Sequence, residues 1–477
     1  MNAQLKPGQI GEFKLLIGGK LVPGAAGTVD VINPATEKVV AACPRADVAQ
    51  ANQAVAAAKA AFPAWSAKPI DERRAALLAM ADAIQNDLQN LARILTQEQG
   101  KPIGDAMGEV FGCAAFFRYF ASLDLPTKVI EDSADKKVVA SRRPLGVVGA
   151  IVPWNFPLIL MAFKVPAALL AGNTVVLKPA PTTPLSTLKI GALIADKLPP
   201  GVLNIITDAN DLGAAMTAHP DIRKISFTGA TETGKKVMAG AAAMLKRITL
   251  ELGGNDAGIV LPDVDPKTVA PKLFASAFQN SGQVCIAMKR LYVHDSIYDQ
   301  ICEELAALAD AAVIGDGLEQ GTQFGPLQNK MQYEKVKDLL EDAKQHGKVI
   351  AGGEAPNRAG YFIRPTIVRD ITDGTRLVDE EQFGPVLPVI RFEDAEDAVA
   401  RANASPYGLG GSIWTSDLLK ARQLAEQMES GTVWINKHAE LAPNIPFGGA
   451  GLSGLGVELG EEGLSEFTQA HVINMSR

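Results

Sequence analysis

The chain has 477 residues, more than the roughly 250 to 300 at which one hydrophobic core stops growing, so two or three domains are expected. Hydrophobic residues make up 47% and charged residues 21% of the sequence, a composition that excludes a disordered or fibrous chain. The net charge is -7 and no long cluster of lysine and arginine overrides it, which argues against a nucleic-acid partner.

The sequence indicates neither a targeting segment nor a membrane span. Residues 1–13 lack the apolar core of a secretory signal. The longest apolar stretch, residues 157–177, is interrupted by a lysine, a proline and an asparagine, which favours a buried helix followed by a strand. The four cysteines are too few and too scattered for a disulfide framework or a zinc site. A cytoplasmic protein without a metal or a membrane partner is therefore predicted.

In the first half of the chain, strands and turns come first and helices follow. Residues 47–62 and 71–99 are rich in alanine and leucine at helical spacing, which predicts two surface-packed helices. From Val138 onward, short apolar runs predict buried strands at residues 147–152, 174–177, 202–206, 224–227 and 247–250. Helices are predicted between them, near residues 158–171, 185–198, 210–218 and 232–244. This alternation predicts a parallel sheet whose ligands bind beyond the carboxyl ends of its strands.

A second alternating series begins beyond Gly254 and predicts a second α/β domain. Its strands are expected at residues 290–293, 348–351, 386–390 and 432–435. Residues 470–474 are expected to form a terminal strand, with a hairpin at residues 128–141 as its partner. These last segments predict a small sheet that is shared between subunits.

Two glycine patterns compete for the dinucleotide-binding turn. The segment 449–454 matches G-x-G-x-x-G, but a proline-rich segment precedes it and only 23 residues follow it, so we interpret it as a loop that shapes a pocket wall. The segment 229–234 follows a predicted strand and begins a predicted helix. That geometry presents backbone N–H groups to a pyrophosphate, so this segment is the predicted cofactor turn.

Cys285 and Glu251 pair a potential thiol nucleophile with a potential carboxylate base. Cys285 lies 34 positions after Glu251. A thiolate is the reactive form of cysteine, and a carboxylate that holds a water can supply the second half of a two-step acyl transfer. The pair predicts covalent catalysis through sulfur, and the structural alternatives are a buried apolar cysteine and a solvated glutamate.

Seven motifs, in order along the chain, resemble the aldehyde dehydrogenase superfamily. They are Pro153-Trp154-Asn155-Phe156-Pro157, Lys178-Pro179, Phe227-Thr228-Gly229, Glu251-Leu252-Gly253-Gly254, Gly282-Gln283-Val284-Cys285, Glu381-Gln382-Phe383-Gly384-Pro385 and Pro446-Phe447-Gly448-Gly449. The resemblance covers nearly the whole chain. It implies an α/β fold with a variant Rossmann cofactor domain at residues 1–123 and 143–252. An α/β catalytic domain at 253–452 and a small oligomerisation sheet from 124–142 and 453–477 complete the implied organisation.

The resemblance also implies a reaction, the NAD(P)-dependent oxidation of an aldehyde to its carboxylic acid. Cys285 would attack the aldehyde carbon, and the Asn155 side-chain amide and the Cys285 backbone N–H would hold the oxyanion. Glu251 would activate the water that hydrolyses the resulting thioester. For Asn155 the structural alternative is a buried amide that caps the following helix. Lys164 is expected to be a structural partner that holds the active-site region.

Fifteen cofactor-binding residues are implied by the same resemblance. Lys178 would reach the adenosine ribose, Glu381 would bind the nicotinamide ribose, and Phe383 would pack against the nicotinamide. The full set is Ile151, Val152, Pro153, Trp154, Lys178, Pro181, Gly213, Phe227, Thr228, Gly229, Ala230, Thr233, Leu252, Glu381 and Phe383. Pro181 stands where many relatives carry a glutamate that repels a 2′-phosphate, so NAD is predicted with NADP tolerated.

The implied substrate pocket is apolar and partly aromatic, which favours a medium-sized hydrophobic or aromatic aldehyde. Its residues are Phe156, Leu160, Phe163, Val284, Ile286, His438 and Phe447. Charge in the loop at residues 437–441 leaves a semialdehyde or a sugar-derived aldehyde open, and His438 has an alternative interpretation as a surface loop residue. A homodimer or homotetramer is expected.

Two rival functions remain beside the hydrolytic dehydrogenase. A CoA-acylating relative resolves the thioester without water and generally lacks a base at the position of Glu251, so that residue favours hydrolysis. A binding or structural protein that merely keeps the fold is disfavoured by the presence of Cys285, Glu251 and Asn155 together.

Overall fold

The computed structural model describes residues 11–477. Residues 1–10 lie outside the described residues, and with them most of the segment predicted to lack a secretory signal and the start of the predicted cofactor domain. Within residues 11–477, none of the helices combines the length and the hydropathy needed to cross a bilayer.

The described helices alternate with strands through most of the chain. They are α1 Val48–Ser66, α2 Ile70–Asn86, α3 Leu88–Gln99, α4 Ile103–Ser122, α5 Pro157–Leu170, α6 Leu185–Ile194, α7 Gly213–Ala218, α8 Thr231–Ala242, α9 Pro266–Phe278, α10 Tyr298–Ala311, α11 Lys330–His346, α12 Arg376–Asp379, α13 Ala395–Asn403, α14 Leu418–Ala425 and α15 Gly460–Ser465.

The described strands fall into two large and three small sheets. They are β1 Leu15–Ile17, β2 Lys20–Val22, β3 Thr28–Asn33, β4 Lys38–Pro44, β5 Lys128–Asp132, β6 Lys136–Pro144, β7 Val147–Ile151, β8 Thr174–Lys178, β9 Leu203–Ile205, β10 Ile222–Thr228, β11 Arg247–Glu251, β12 Asp256–Val260, β13 Met288–His294, β14 Lys348–Ala351, β15 Thr366–Arg369, β16 Val386–Phe392, β17 Tyr407–Gly408, β18 Gly410–Trp414, β19 Thr432–Ile435, β20 Ala450–Gly451, β21 Gly454–Leu455 and β22 Thr468–Ser476.

The first large sheet has the strand order β2-β1-β9-β8-β7-β10-β11-β21, and the five strands from β9 to β11 are parallel. Strands β7 and β8 are buried along their whole length, as expected for a sheet covered by helices on both faces. The predicted parallel sheet is confirmed. Its register brings Ile151 opposite Lys178 and Phe227, so the carboxyl ends of the central strands meet at one edge.

The second large sheet has the order β14-β15-β16-β13-β12-β18-β19, with β14 antiparallel to its neighbour and the other strands parallel. All four strands predicted beyond Gly254 belong to it. Strands β12 and β18 are fully buried. A core around them packs α10 and α11 on the sheet.

The predicted terminal strand and hairpin form a three-stranded sheet with the order β22-β6-β5. Strand β22 pairs with β6 from Thr468 opposite Pro144 to Ser476 opposite Lys136. All three strands belong to one chain, so the sharing of this sheet between subunits stays a prediction.

Three helix predictions need correction. The helix predicted at residues 71–99 is wrong as a single element, because Asp87 leaves the helical region with φ of -103° and ψ of 18°. Its side chain accepts from Nδ2 of Asn90, in the first turn of α3, at 2.7 Å. Helix α4 was missed, although Pro102 precedes its first turn. The helix near 210–218 is shorter than predicted because Asn210 has φ of 67°.

Candidate active site

The carboxyl edge of the first sheet collects most of the predicted cofactor residues. Ile151, Lys178, Thr228 and Glu251 each end one of four adjacent parallel strands. Hydrogen bonds tie the segments that follow: Val152 N donates to the Lys178 carbonyl at 3.1 Å, and Gly229 N donates to the Glu251 carbonyl at 3.0 Å. The structure therefore brings the predicted residues at these four strand ends together.

The predicted cofactor turn lies between β10 and α8. Its N-cap residue, Ala230, makes no side-chain cap hydrogen bond. The first N–H groups of a helix lack partners within the helix, so this uncapped end is open to an anion. Ala230 and Thr233 are exposed and Gly229 is half-buried, which leaves the turn accessible. Pro181 and Gly213, also predicted to touch the cofactor, are both half-buried. Pro181 lies in the turn that follows β8, and Gly213 is the first residue of α7.

A buried carboxylate lies against Lys178. Lys178 Nζ donates to Asp208 Oδ1 at 2.8 Å, and Asp208 Oδ2 accepts from Leu212 N at 3.0 Å. Asp208 is 2% exposed. The sequence analysis did not predict this contact between Asp208 and Lys178.

The loop that carries Cys285 has an unusual backbone. Asn280, Ser281 and Gly282 all have positive φ, at 49°, 55° and 74°, and a Cβ on Gly282 would overlap the Gly384 carbonyl. Such conformations cost about 1–3 kcal/mol for a non-glycine residue and persist only where the surroundings fix them. Ser281 Oγ supplies one such restraint by donating to the Gly325 carbonyl at 2.7 Å.

Asn155 is joined to that loop. Its Nδ2 donates to the Gln283 carbonyl at 3.0 Å. The alternative interpretation as a helix cap is wrong, because the N-terminus of α5 is capped by Glu109, whose Oε1 accepts from Leu158 N at 2.9 Å and Ile159 N at 3.3 Å. Asn155 has a second N–H on the same nitrogen.

The sequence analysis did not identify the residues that hold the backbone of Asn155 in place. Lys101 Nζ donates to the Asn155 carbonyl at 3.0 Å and forms an ion pair with Glu109. The same Nζ lies 3.6 Å from the centroid of the Phe156 ring. Lys101 and Glu109 are eight positions apart and both are almost fully buried. The charge of these two residues next to and within an apolar helical segment could have indicated a buried ion pair.

Glu251 is isolated in the interior. It is 3% exposed, and neither carboxylate oxygen has a hydrogen-bond partner among the described residues. Burial raises the pKa of the Glu251 carboxyl well above its usual range, and the charge of Glu458 raises it further while Lys164 lowers it. Lys164 forms a buried ion pair with Glu458 and donates to Thr228 Oγ1 at 2.7 Å.

Cys285 is half-buried among charged groups. Burial raises the pKa of its thiol to about 12; the positive charge of Lys289 lowers the pKa, and the carboxylates of Glu251, Asp256 and Glu381 raise it. The Lys289 Nζ donates to the Cys285 carbonyl at 2.6 Å. Lys289 follows the cysteine motif by four positions and was not recognised in the sequence.

The predicted nicotinamide residues flank the same loop. Glu381 Oε1 accepts from Gly254 N at 3.0 Å and lies 3.7 Å from Lys289 Nζ. The rings of Trp154 and Phe383 meet edge to face with centroids 5.4 Å apart. Two aromatic residues from distant motifs are thus in contact beside Glu381.

The predicted substrate residues gather in one hydrophobic cluster, except His438. Leu160, Phe163, Val284, Ile286 and Phe447 are buried in that cluster, and Phe156 and Cys285 pack against it. The ring of Phe163 lies 4.9 Å from that of Phe116. Val284 and Ile286 are the chain neighbours of Cys285, so buried apolar residues flank the cysteine.

His438 is not a surface residue. Its side chain is fully buried, with Nε2 3.0 Å from the Ile286 carbonyl and Nδ1 2.9 Å from Ser412 Oγ. Nε2 must donate to that carbonyl, so the Nε2–H tautomer is present. Burial lowers the pKa of His438 to about 3, and the ring is neutral.

A cavity of about 600 Å³ opens beside the cysteine loop. Its lining residues come from α4, α9, α10 and three further segments, and they are Asp105, Phe274, Ala275, Ser276, Gln279, Asn280, Leu308, Ala311, Gln323, Phe324, His438 and Ala439. Among the described residues that line this cavity, His438 is the one predicted substrate residue. Asn280 connects the cavity to the site, since its Nδ2 donates to the Asn155 carbonyl at 3.2 Å.

The segment 449–454 forms β20, a turn and β21. Gly454 pairs with Glu251 at the edge of the first sheet, and Leu252 N donates to the Ser453 carbonyl at 2.8 Å. The helix that follows, α15, begins only at Gly460, so the segment does not have the strand-turn-helix form of a dinucleotide fingerprint. Within residues 11–477, no group of three or more His, Cys, Asp or Glu side chains is placed to hold a metal ion.

Comparison with known proteins gives consistent matches along the whole chain. The sequence model of the aldehyde dehydrogenase family matches residues 21–473. A phenylacetaldehyde dehydrogenase from Pseudomonas fluorescens is 41% identical, with 95% of this chain and 94% of that protein covered.

Solved structures share the fold closely. An aldehyde dehydrogenase from Bacillus cereus in complex with NAD+ has a TM-score of 0.96 at 37% identity, with all of both chains covered. A structure described as an E. coli NADP-dependent enzyme has a TM-score of 0.96 at 36% identity, with 99% of this chain and 100% of that chain covered.

The raised pKa of Glu251 predicts a pH-dependent stability. Its carboxyl holds its proton to a higher pH in the folded protein than in the unfolded chain, so stability present below pH 4.5 is lost as the pH rises through the raised pKa. Glu251→Gln cannot ionise and escapes this loss. We expect the thermal unfolding midpoint of Glu251→Gln, relative to that of the unaltered protein, to be higher at pH 8 than at pH 5. The exposed substitution Glu303→Gln is the control, and equal differences at both pH values for Glu251→Gln would contradict the prediction.

Proposed function

The chain belongs to the aldehyde dehydrogenase family, and from that premise we propose that it oxidises a neutral, medium-sized hydrophobic or aromatic aldehyde through a thioester on Cys285. The observation that carries this proposal is the junction of the Cys285 loop with Asn155, whose Nδ2 lies 3.0 Å from the Gln283 carbonyl. The buried and unpartnered Glu251 completes the set of groups that the reaction needs.

The residues at the carboxyl edge of the first sheet fit a nicotinamide dinucleotide. The uncapped N-terminus of α8 would bind the pyrophosphate through its backbone N–H groups. Lys178 would bind a ribose hydroxyl. Glu381 and the Trp154 and Phe383 rings would contact the nicotinamide half. When bound, NAD(P) supplies the acceptor for the hydride that leaves the aldehyde carbon.

In the first half of the proposed reaction, the Cys285 thiolate forms a bond to the aldehyde carbon and the carbonyl oxygen becomes an oxyanion. Departure of the hydride from that carbon then restores the carbonyl group and leaves the thioester. Asn155 holds that oxygen with the N–H that does not donate to Gln283, and the Cys285 backbone N–H is the second donor. Donors fixed before the reaction stabilise charge that develops only in the transition state, and one such donor is worth roughly 100- to 1000-fold in rate.

In the second half, Glu251 removes a proton from water, the water oxygen attacks the thioester carbon, and the carbon–sulfur bond breaks. The products are a carboxylic acid and the Cys285 thiolate. The raised pKa makes the ionised Glu251 a stronger base than an exposed glutamate. The buried pair of Lys164 and Glu458 fixes the charges next to it.

Two variants separate the two halves. Cys285→Ala should abolish oxidation and keep cofactor binding, while Glu251→Gln should give a burst of one reduced cofactor per site without steady turnover. Stopped-flow measurement of reduced cofactor, with mass spectrometry of the quenched protein for the thioester, tests both. Cys302→Ala, at a buried cysteine of α10, is the control and should remain active. Unchanged turnover in Cys285→Ala would refute the covalent mechanism, and a missing burst in Glu251→Gln would assign that residue another role.

The predicted substrate residues favour a hydrophobic aldehyde over an anionic semialdehyde, because five of the seven are buried apolar side chains. Lys437, whose charge left that alternative open, pairs with Glu440 at 3.0 Å. The similarity to a phenylacetaldehyde dehydrogenase points in the same direction.

An aldehyde panel tests the substrate class. Reduced-cofactor formation is measured with short aliphatic, long aliphatic, aromatic, sugar-derived and carboxylate-bearing semialdehyde substrates, without CoA. We expect aromatic and longer aliphatic aldehydes to exceed the carboxylate semialdehyde by about tenfold or more in kcat/KM. Preference for the semialdehyde would contradict the proposed class, and activity restored only by CoA or phosphate would indicate an acylating enzyme.

The preference for NAD is proposed to depend on Asp208. Pro181 supplies no carboxylate to repel a 2′-phosphate, but Asp208 Oδ1 lies 2.8 Å from Lys178 Nζ. A carboxylate in contact with the ribose-binding lysine neutralises the charge that a 2′-phosphate would use and repels the phosphate itself. NAD is therefore preferred, with NADP tolerated.

Asp208→Asn should shift the cofactor preference towards NADP. The substitution keeps an acceptor for Leu212 N and removes the negative charge, so we expect the ratio of kcat/KM for NADP to that for NAD to rise roughly tenfold. Asp211→Asn is the matched control, because Asp211 pairs with Arg45 instead of Lys178. An unchanged ratio in Asp208→Asn, or an equal rise in the control, would contradict the assignment.

The proposed assembly is a homodimer or homotetramer joined through the three-stranded sheet. Val129, Ile130, Val472 and Ile473 expose between 48% and 64% of their surface on that sheet, an apolar group of the kind that marks a contact surface. The division of the chain into cofactor, catalytic and bridging segments, with boundaries at 1–123 and 143–252, 253–452, and 124–142 with 453–477, stays a prediction. A cytoplasmic location likewise stays a prediction from cysteine usage.

A further inference from the structure

Lys289 is a buried lysine beneath the cysteine loop. It lies on β13, the strand between β12 and β16 in the second sheet, and it is 2% exposed. Its Nζ donates to the Val284 carbonyl at 2.9 Å and to the Cys285 carbonyl at 2.6 Å. Burying a lysine costs free energy unless hydrogen bonds and opposite charges compensate its ammonium group. The position of Lys289 therefore indicates a function for this ammonium.

The Val284 carbonyl and the Cys285 N–H belong to the same peptide group. A hydrogen bond from a cation to the carbonyl of a peptide polarises that group and strengthens the hydrogen bond that its N–H donates. The Cys285 N–H is one of the two donors assigned to the oxyanion. Lys289 therefore acts on the reacting oxygen through one intervening peptide.

We propose that Lys289 is a positioning residue that polarises the Val284–Cys285 peptide and supplies the positive charge that favours the Cys285 thiolate, an inference that rests on the proposed function. Lys289 lies between Met288 and Arg290, which pair with β12, and the Val284 and Cys285 carbonyls bind its ammonium, so the charge is held in place before substrate binds. A fixed charge needs no reorganisation during the reaction, which is when it is most effective.

The charges that face Cys285 make this cation necessary. The carboxylates of Glu251, Asp256 and Glu381 all raise the pKa of the thiol, and Lys289 acts against them. Burial raises the pKa of Asp256 itself to about 7, and the neighbouring His438 ring is neutral. Without Lys289, burial and the neighbouring carboxylates would both destabilise the thiolate.

Lys289 also connects the cysteine to the cofactor side. Its Nζ lies 3.7 Å from Glu381 Oε1, the carboxylate assigned to the nicotinamide ribose. That separation is longer than a hydrogen bond, whereas the two carbonyl contacts are not. The main effect of Lys289 is therefore expected on the reactivity of Cys285 and on turnover, with a smaller effect on cofactor affinity.

Iodoacetamide alkylation of Cys285, located by peptide mass spectrometry, tests the inference without an aldehyde. Lys289→Met keeps an unbranched side chain that is one atom shorter and removes its charge. We expect the alkylation rate at pH 8 to fall about three- to tenfold and the kcat for aldehyde oxidation to fall about 10- to 100-fold. The KM for NAD should change by less than about threefold. A large fall in kcat with a nearly unchanged KM for NAD would not result from loss of the cofactor site. Lys289→Arg, which retains the charge, should recover most of the alkylation rate.

Lys246→Met is the matched control. Lys246 is 8% exposed and its Nζ donates to the backbone carbonyls of His219 and Ile222, at the end of β10 opposite to the site. It should match the unaltered protein in alkylation and turnover, and unfolding midpoints establish that each variant folds. Should Lys289→Met fail to fold, Lys289→Gln replaces it with the same expectations.

The outcomes separate this inference from the proposed function. An active unaltered enzyme whose folded Lys289→Met variant reacts equally fast with iodoacetamide would overturn the role of Lys289 alone. An arginine variant as slow as the methionine variant would overturn the role of its charge. Absence of aldehyde oxidation in the unaltered protein would instead refute the proposed function, whatever the alkylation rates.

Discussion

The hydrogen bond from Asn155 Nδ2 to the Gln283 carbonyl is the contact on which the rest of the site depends. Asn155 follows a strand of the first sheet, and Gln283 lies in the loop that leads into the second sheet. The two groups proposed to hold the oxyanion therefore come from different sheets. Their separation is set by this contact and by the strained backbone of the cysteine loop, and neither sheet alone could position both donors.

Buried charge holds this junction in place. Lys101 with Glu109 fixes the segment that carries Asn155, Lys164 with Glu458 borders Glu251, and Lys289 binds the loop of Cys285. Ion pairs of this kind contribute little net stability, because desolvation offsets most of the attraction, but removing one partner leaves an unpaired buried charge. Their effect here is to make each catalytic group adopt one position.

Periodicity and motifs made the parallel sheet, the second α/β domain and the terminal strand predictable, because each depends on local pattern. The division at Asp87 was not predictable from helical spacing, since a single residue leaves the helical backbone conformation there. Lys101, Asp208 and Lys289 were missed for a different reason. Their partners lie in other segments or in backbone carbonyls, and a sequence records neither. The resemblance placed His438 in the substrate pocket, yet both of its ring nitrogens already form buried hydrogen bonds.

The pair of Lys164 and Glu458 joins residues 294 positions apart. At translation rates of about 5–20 residues per second, the ribosome adds Glu458 roughly 15 to 60 s after Lys164. The central strands of the first sheet can form in that interval, but the ammonium of Lys164 then has no counter-ion. On the nascent chain, the surroundings of Glu251, the proposed catalytic base, are therefore complete only after the segment that carries Glu458 has been synthesised.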